Sequence, residues 1–154
     1  MGKCSTYLTV GLLLIKDRKV LLMRRCNTGY MDGCYALTSG HVEVGEDLKQ
    51  AMIREAKEEI GIDIEPGQLD YVTMIRNGKD NADYINFFLI ANGYSGTPSI
   101  MEPDKCDDLG WFDVDNLPDN MIPADRKAIS NYFNEVYFDE FGFPGFVSNP
   151  AKKK

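Results

Sequence analysis

The sequence predicts an α+β domain, and three observations carry that prediction. Runs rich in β-branched, aliphatic and aromatic residues recur along the chain between clusters of Gly, Asn, Asp and Pro. Two longer segments instead hold strong helix formers, one stopped by a glycine and one opened by a proline. The length of 154 residues, 44% hydrophobic and 27% charged, suits a single domain spanning 1–154 with a core of its own.

Taken in order, Thr6 to Ile15 and Val20 to Arg25 read as strands of a hairpin around the polar turn Asp17-Arg18-Lys19. The apolar stretch from Tyr7 to Ile15 has only Lys3 ahead of it and no small-residue cleavage pattern. It therefore reads as a buried strand of a cytoplasmic protein and not as a signal segment. Asn27 to Gly33 is a loop, and Tyr35 to Thr38 is a short strand ending at Ser39-Gly40. A glycine-punctuated loop follows from Gly40 to Gly45, and then the strongest helix, Leu48 to Ile60, stopped by Gly61. Strands are expected at Leu69 to Arg76 and Tyr84 to Asn92, joined by a turn from Asn77 to Asn81. After a loop from Gly93 to Asp108 come a short strand piece, Gly110-Trp111-Phe112, and a turn region from Asp115 to Pro123. A second helix is predicted from Ala124 to about Tyr137. An irregular tail follows from about 139 to 154, holding Phe141, Phe143 and Phe146 and a solvated Lys152-Lys153-Lys154 end.

The balance of 17 Lys and Arg against 24 Asp and Glu leaves a formal charge of −7. Such a chain gains little from counterion release, so neither a nucleic-acid polymer nor an acidic membrane is an expected partner. A small anionic substrate would need a bound cation and local arginines to reverse the field. Cys4, Cys26, Cys34 and Cys106 have irregular spacing, and His41 is the one histidine. Reduced, mostly buried thiols are expected in place of a zinc site.

Chemistry concentrates between Gly40 and Ile62. At about 100° per residue, Glu55, Glu58 and Glu59 fall on one helical face, while Met52, Ile53, Ala56 and Ile60 fill the neighbouring arc. Like charges this close repel, and a hard divalent cation such as Mg²⁺ resolves the conflict. Arg54 can hold a carboxylate by paired hydrogen bonds, with Glu46 as a candidate partner. An acidic run alone is usually a solvated face. Seven fixed residues at set spacing would arise by chance on the order of once in 10⁸ positions.

Those seven residues, Gly40, Glu46, Arg54, Glu55, Glu58, Glu59 and Gly61, match the box G-x5-E-x7-R-E-U-x-E-E-x-G-U, where U is a bulky aliphatic. The segment thus resembles the Nudix hydrolase family, with one departure, Ala56 at the first U. The resemblance implies an α/β/α sandwich around a mixed sheet. It implies metal ligands at Glu55, Glu58 and Glu59 and the Gly40 carbonyl, for Mg²⁺ or Mn²⁺. It also implies a glutamate acting as base, Glu58 first and Glu55 next, beside Arg54. A later acidic ligand is expected, Glu102 first, with Asp107 or Asp108 as rivals. Arg24 and Arg25 resemble the family's phosphate-steadying arginine, equally readable as solvent-facing. His41 is placed to touch a phosphate or to brace the loop. Many relatives are dimers, so a homodimer is compatible.

Downstream, Glu102 to Pro118 and Met121 to Asp125 look like the MutT-type branch, which converts nucleoside triphosphates, oxidised forms included, to the monophosphate and pyrophosphate. In a human member of that branch two adjacent aspartates read the base. Here Asp125 aligns with one, Ala124 replaces its neighbour, and Ala36 stands at the position of a base-reading Asn. Tyr30, Tyr35 and Phe87 are aromatic candidates for stacking on a base, and equally for the core. Triphosphate hydrolysis is thus the first expectation. Hydrolysis of ADP-ribose or another nucleoside diphosphate derivative is the alternative, and an inactive nucleotide-sensing domain is the reading of another class.

Overall fold

The computed structural model describes residues 2–79 and 82–143. Within them lie β1 (Thr6–Leu13), β2 (Ile15–Lys16), β3 (Lys19–Arg25), β4 (Tyr35–Ala36) and β5 (Thr38–His41). Next come α1 (Leu48–Ile60), β6 (Leu69–Lys79), β7 (Ala82–Ala91), β8 (Cys106–Asp113), α2 (Pro123–Asn134) and β9 (Phe138–Phe141). A mixed five-stranded sheet runs β5-β1-β7-β6-β9. Its β1–β7 and β6–β9 pairs are parallel and the other two antiparallel. In a smaller antiparallel sheet β3 pairs with β2, β4 and β8.

Alternation along β1 sends Val10 and Leu12 to one face and Leu13 to the other. On the first face they meet Met52, Ala56 and Ile60 of α1; on the second, Leu13, Ile75 and Phe88 meet Ala128 and Ile129 of α2. Helices on both faces of a mixed sheet make the α/β/α sandwich expected from the box. Burial of a side chain such as Met52 or Ile60 contributes about 1.5–3 kcal/mol. Ala56, the departure from the box, is fully buried in this cluster.

Helix α1 begins and ends where the sequence placed it. Asp47 caps it: its carboxylate accepts from the Gln50 N–H at 2.8 Å while the Gln50 side chain accepts from the Asp47 N–H at 2.8 Å. Gly61 closes it at φ 72°, in the left-handed region that a side chain disfavours.

Several expected boundaries move, and tertiary pairing is the reason. The first two strands do not form one long hairpin. Only Ile15 and Lys16 pair back onto Val20 and Lys19, because the chain changes sheet after Leu13. The Tyr35-to-Thr38 strand splits at Leu37, and Gly40 and His41, expected in a loop, extend β5 against β1. β6 runs on into the predicted turn as far as Lys79 and β7 begins at Ala82, two residues before the expected start, while Asp80 and Asn81 of the turn lie outside the described residues. β8 starts at Cys106 inside the expected loop. Helix α2 stops at Asn134, capped by Glu135 in the left-handed region, and Phe138–Phe141 of the supposed tail form an edge strand on β6. Phe146 and the terminal lysines lie outside the described residues. All four thiols are free, but only Cys106 is buried and Cys4 is exposed, so the expectation of mostly buried cysteines is corrected. Among the described residues no helix is long and apolar enough to cross a membrane.

Candidate active site

Strand β5 is an edge, and the two halves of the candidate site meet along it. On one side α1 brings its carboxylates to the strand; on the other a cleft of about 590 Å³ lies over the sheet. Gly40 is the contact point for the first half. A Cβ there would lie 2.1 Å from the Glu55 carboxyl carbon, so only glycine lets that side chain sit on the strand. One residue earlier, the Ser39 N–H donates to Glu59 Oε2 at 3.3 Å.

Arg54 organises the acidic face. Its Nε donates to Glu46 Oε1 at 3.0 Å, and its Nη1 donates to Glu55 Oε1 at 2.8 Å and Glu58 Oε2 at 3.3 Å. Its Nη2 donates to the His41 carbonyl at 3.0 Å, fastening helix to strand. Hydrogen bonding to Glu46 raises the Arg54 pKa further and holds the Glu46 carboxyl below its ordinary range. The predicted Arg54–Glu46 pair is therefore present.

Glu55 and Glu59 are half-buried and Glu58 is exposed. Burial raises the Glu55 pKa against the opposing pull of Arg54. Burial, with the Glu55 charge added, pushes Glu59 up to about 8. Glu102 adds to the repulsion on both. It also pairs with Lys105 at 3.6 Å. Its rivals are engaged elsewhere: Asp107 accepts from Arg24 at 2.7 Å and Asp108 from the Tyr35 hydroxyl.

Among the described residues no three acidic, Cys or His side chains converge as a cation cage; the carboxylates gather around Arg54 instead. The donor set still fits a hard divalent cation. Two desolvated carboxyls whose ionisation is opposed by burial and mutual repulsion, with an exposed third beside them, are what such an ion would relieve.

The cleft is floored by Thr9, Gly11, Ser39, His41, Tyr84, Asn86 and Phe88 and walled by Arg25, Tyr30, Ile122, Ala124 and Asp125. Asp125, in the first turn of α2, is buried and accepts from the Leu37 N–H at 2.9 Å. Burial pushes its carboxyl up to about 7, against the Leu37 N–H and the Arg25 charge.

The structure separates the two candidate arginines. Arg25 lines the cleft, leaning on the Tyr30 ring and donating to the Tyr30 carbonyl at 2.8 Å, whereas Arg24 is tied to Asp107 and does not line it. His41 lies at the cleft with its ring exposed. Of the aromatic candidates only Tyr30 reaches the cleft. Tyr35 is buried, and Phe87 packs toward the α1 core, leaving its neighbour Phe88 to face the cleft. Sequence reasoning missed Thr9, Asn86 and Phe88. Period-two alternation groups them by face within each strand, but only the parallel β1–β7 register brings the faces together.

Residues 6–132 match the NUDIX domain family. The chain is 32% identical to the NAD-capped RNA hydrolase NudC of Stutzerimonas stutzeri over 125 residues, 81% of this chain and 42% of that protein. It therefore spans about two fifths of the length of that relative. It is also 32% identical to the ADP-ribose pyrophosphatase of Methanocaldococcus jannaschii over 120 residues, 78% of this chain and 69% of that protein. Its fold superimposes on the MutT NUDIX hydrolase from Burkholderia pseudomallei with a TM-score of 0.76 at 28% identity, covering 82% of this chain and 97% of that one. With every fixed residue of the Nudix box present from β5 through α1 to Gly61, and a family match along most of its length, the chain belongs to the NUDIX domain family.

Proposed function

We propose that this chain hydrolyses the diphosphate bridge of a nucleoside diphosphate linked to a second group, with ADP-ribose as the reference substrate. The observation that carries this reading is the 32% identity to an ADP-ribose pyrophosphatase across 69% of that protein. The relative named for NAD-capped RNA acts on a substrate whose NAD portion contains a bond of the same kind, a diphosphate between two organic groups. The sequence alone placed triphosphates first; these relatives favour its alternative. The overall charge of −7 argues against a polymeric RNA substrate and for a small one.

Glu55, Glu58, Glu59, Glu102 and the Gly40 carbonyl would hold the divalent ion, Mg²⁺ or Mn²⁺. When bound, it would acidify water and neutralise charge on the phosphate oxygens. Glu58 is the proposed base, because it is exposed and meets the helix cluster through one long contact with Arg54. It takes a proton from water as the water oxygen bonds to phosphorus, and the bridging P–O bond breaks, leaving two monophosphates. Arg54 positions Glu55 and Glu58 and fixes α1 to β5. Arg25, His41 and Asp125 line the substrate's path; Arg24, paired with Asp107, acts at most through its neighbour Arg25. Retention of all box glutamates argues against an inactive sensing domain.

A substrate panel tests the reading with Mg²⁺ and with Mn²⁺. ADP-ribose is expected to yield AMP and ribose 5-phosphate. Faster release of pyrophosphate from nucleoside triphosphates, with ADP-ribose untouched, would restore the MutT-type assignment.

A further inference from the structure

The cleft extends past the residues that face the carboxylate edge, and its far end is built from aromatic rings. Three levels can be read from the register of β1 with its two neighbours. Gly11 lies opposite Ser39 and Phe88, Thr9 opposite His41 and Asn86, and Tyr7 opposite Tyr84. These positions share one face of the sheet, and at about 3.3 Å per residue Tyr7 stands about 13 Å along the strand from Gly11.

At the first level the Cδ1–Cε1 edge of the Phe88 ring comes up against Gly11, where a Cβ would meet it at 2.7 Å. At the second, the Thr9 hydroxyl donates to Asn86 Oδ1 at 2.5 Å and the Asn86 amide donates to the Ile75 carbonyl at 3.1 Å. These two bonds tie the rung together and anchor it to β6. At the third, the Tyr7 and Tyr84 rings stack with centroids 5.2 Å apart and planes 26° apart. His41 stands edge-on to Tyr7 at 5.8 Å and within 6.4 Å of Tyr84.

Aromatic clusters of this kind usually close on a core, but this one does not: Tyr7 is 54% exposed and belongs to neither main core cluster. Tyr84 and His41 line the cleft, and Tyr7 stands beside them, stacked on Tyr84. His41 joins the rings to the chemistry, because its carbonyl accepts from Arg54, which holds Glu55 and Glu58.

We propose that Tyr7, Tyr84 and His41 form a second ring-binding site, so that the group beyond the diphosphate carries a planar aromatic ring and the preferred substrate is a dinucleotide. This rests on the reading of the protein as a nucleoside diphosphate–X pyrophosphatase. Stacking on exposed aromatics is worth about 1–3 kcal/mol per base, which converts to roughly fivefold to a hundredfold in affinity.

Diadenosine diphosphate and ADP-ribose share one adenosine diphosphate half and differ by the second ring, so their ratio isolates the platform. Wild type is expected to favour diadenosine diphosphate in KM. In Tyr84→Ala the kcat/KM ratio of the two substrates should fall about tenfold, carried by KM, and Tyr84→Phe should restore it. Tyr7→Ala, at an exposed position, should shift the ratio in the same direction and guards against misfolding of the first variant. An unchanged ratio in both alanine variants, even with both rates lowered, overturns the ring site and leaves the diphosphate reading standing. A wild type that cleaves neither compound overturns both.

Discussion

At the scale of single residues, the carboxyl groups differ in what surrounds them. Glu58 is exposed and Glu59 half-buried beside Ser39, and a part in the reaction is proposed for both. Glu58→Gln and Glu59→Gln are each expected to lower kcat by about 10²–10⁴-fold, with circular dichroism and melting temperature close to wild type. Normal turnover in both would remove these glutamates from the mechanism. Asp125 supplies a different test. Burial pushes its carboxyl up to about 7 in the fold from an ordinary 3.8, so between those values the folded protein holds a proton that the unfolded chain has released. Its contribution to stability is therefore constant below about pH 4, falls as pH rises toward 7, and is level above. Arg25 is the charged group that acts on it; the Leu37 N–H is its hydrogen-bond donor. Asp125→Asn keeps an acceptor for that N–H and removes the titration. From pH 4 to pH 8 the variant should gain about 4 kcal/mol on wild type in urea denaturation. Parallel pH profiles would show that Asp125 is already ionised in the fold.

At the scale of elements, α1 was legible to the residue because its signals are local. Helix formers, a capping aspartate and a terminal glycine lie within one stretch of chain. The acidic face of the box was legible for the same reason, since the spacing of Glu55, Glu58 and Glu59 is the spacing of one helix. Strand β9 was not, because Phe138–Phe141 has no pattern of its own and exists by pairing with β6. Nor was the cleft floor, where Thr9 and Asn86 are 77 positions apart and meet only through a parallel register. The same distinction separates Arg24 from Arg25: adjacent in sequence, they alternate across β3, and only the latter reaches the cleft. Gly61 lets the element logic be measured. Its φ of 72° strains any side chain, and an added Cβ would lie 2.9 Å from Met101 Sδ. Gly61→Ala should destabilise the fold by about 1 kcal/mol or more, read as a lower midpoint in urea with an unchanged slope. An unchanged midpoint would mean that the helix end relaxes freely.

At the scale of the whole molecule, a net charge of −7 stands against the anionic substrates proposed for this protein, so local arrangement must overcome the overall field. Arg25 in the cleft and Arg54 behind the carboxylates supply part of that reversal, but Arg54 is already spent on Glu46, Glu55 and Glu58. The divalent ion proposed among the glutamates would supply the rest, and it would also change stability. The folded state holds Glu55 and Glu59 against burial and mutual repulsion, costs that the unfolded chain lacks. An ion that binds only the folded state returns that free energy by mass action, about 2.7 kcal/mol at a hundredfold excess over its dissociation constant. Mg²⁺ or Mn²⁺ should therefore raise the melting temperature by several degrees in a concentration-dependent way, and chelation should reverse the shift. Glu55→Gln should shrink the metal-induced rise while raising the metal-free melting temperature, since it removes one of the repelling charges. A metal-induced rise equally large in that variant would place the ion away from α1, and with it the chemistry that the acidic face of the helix has been assigned.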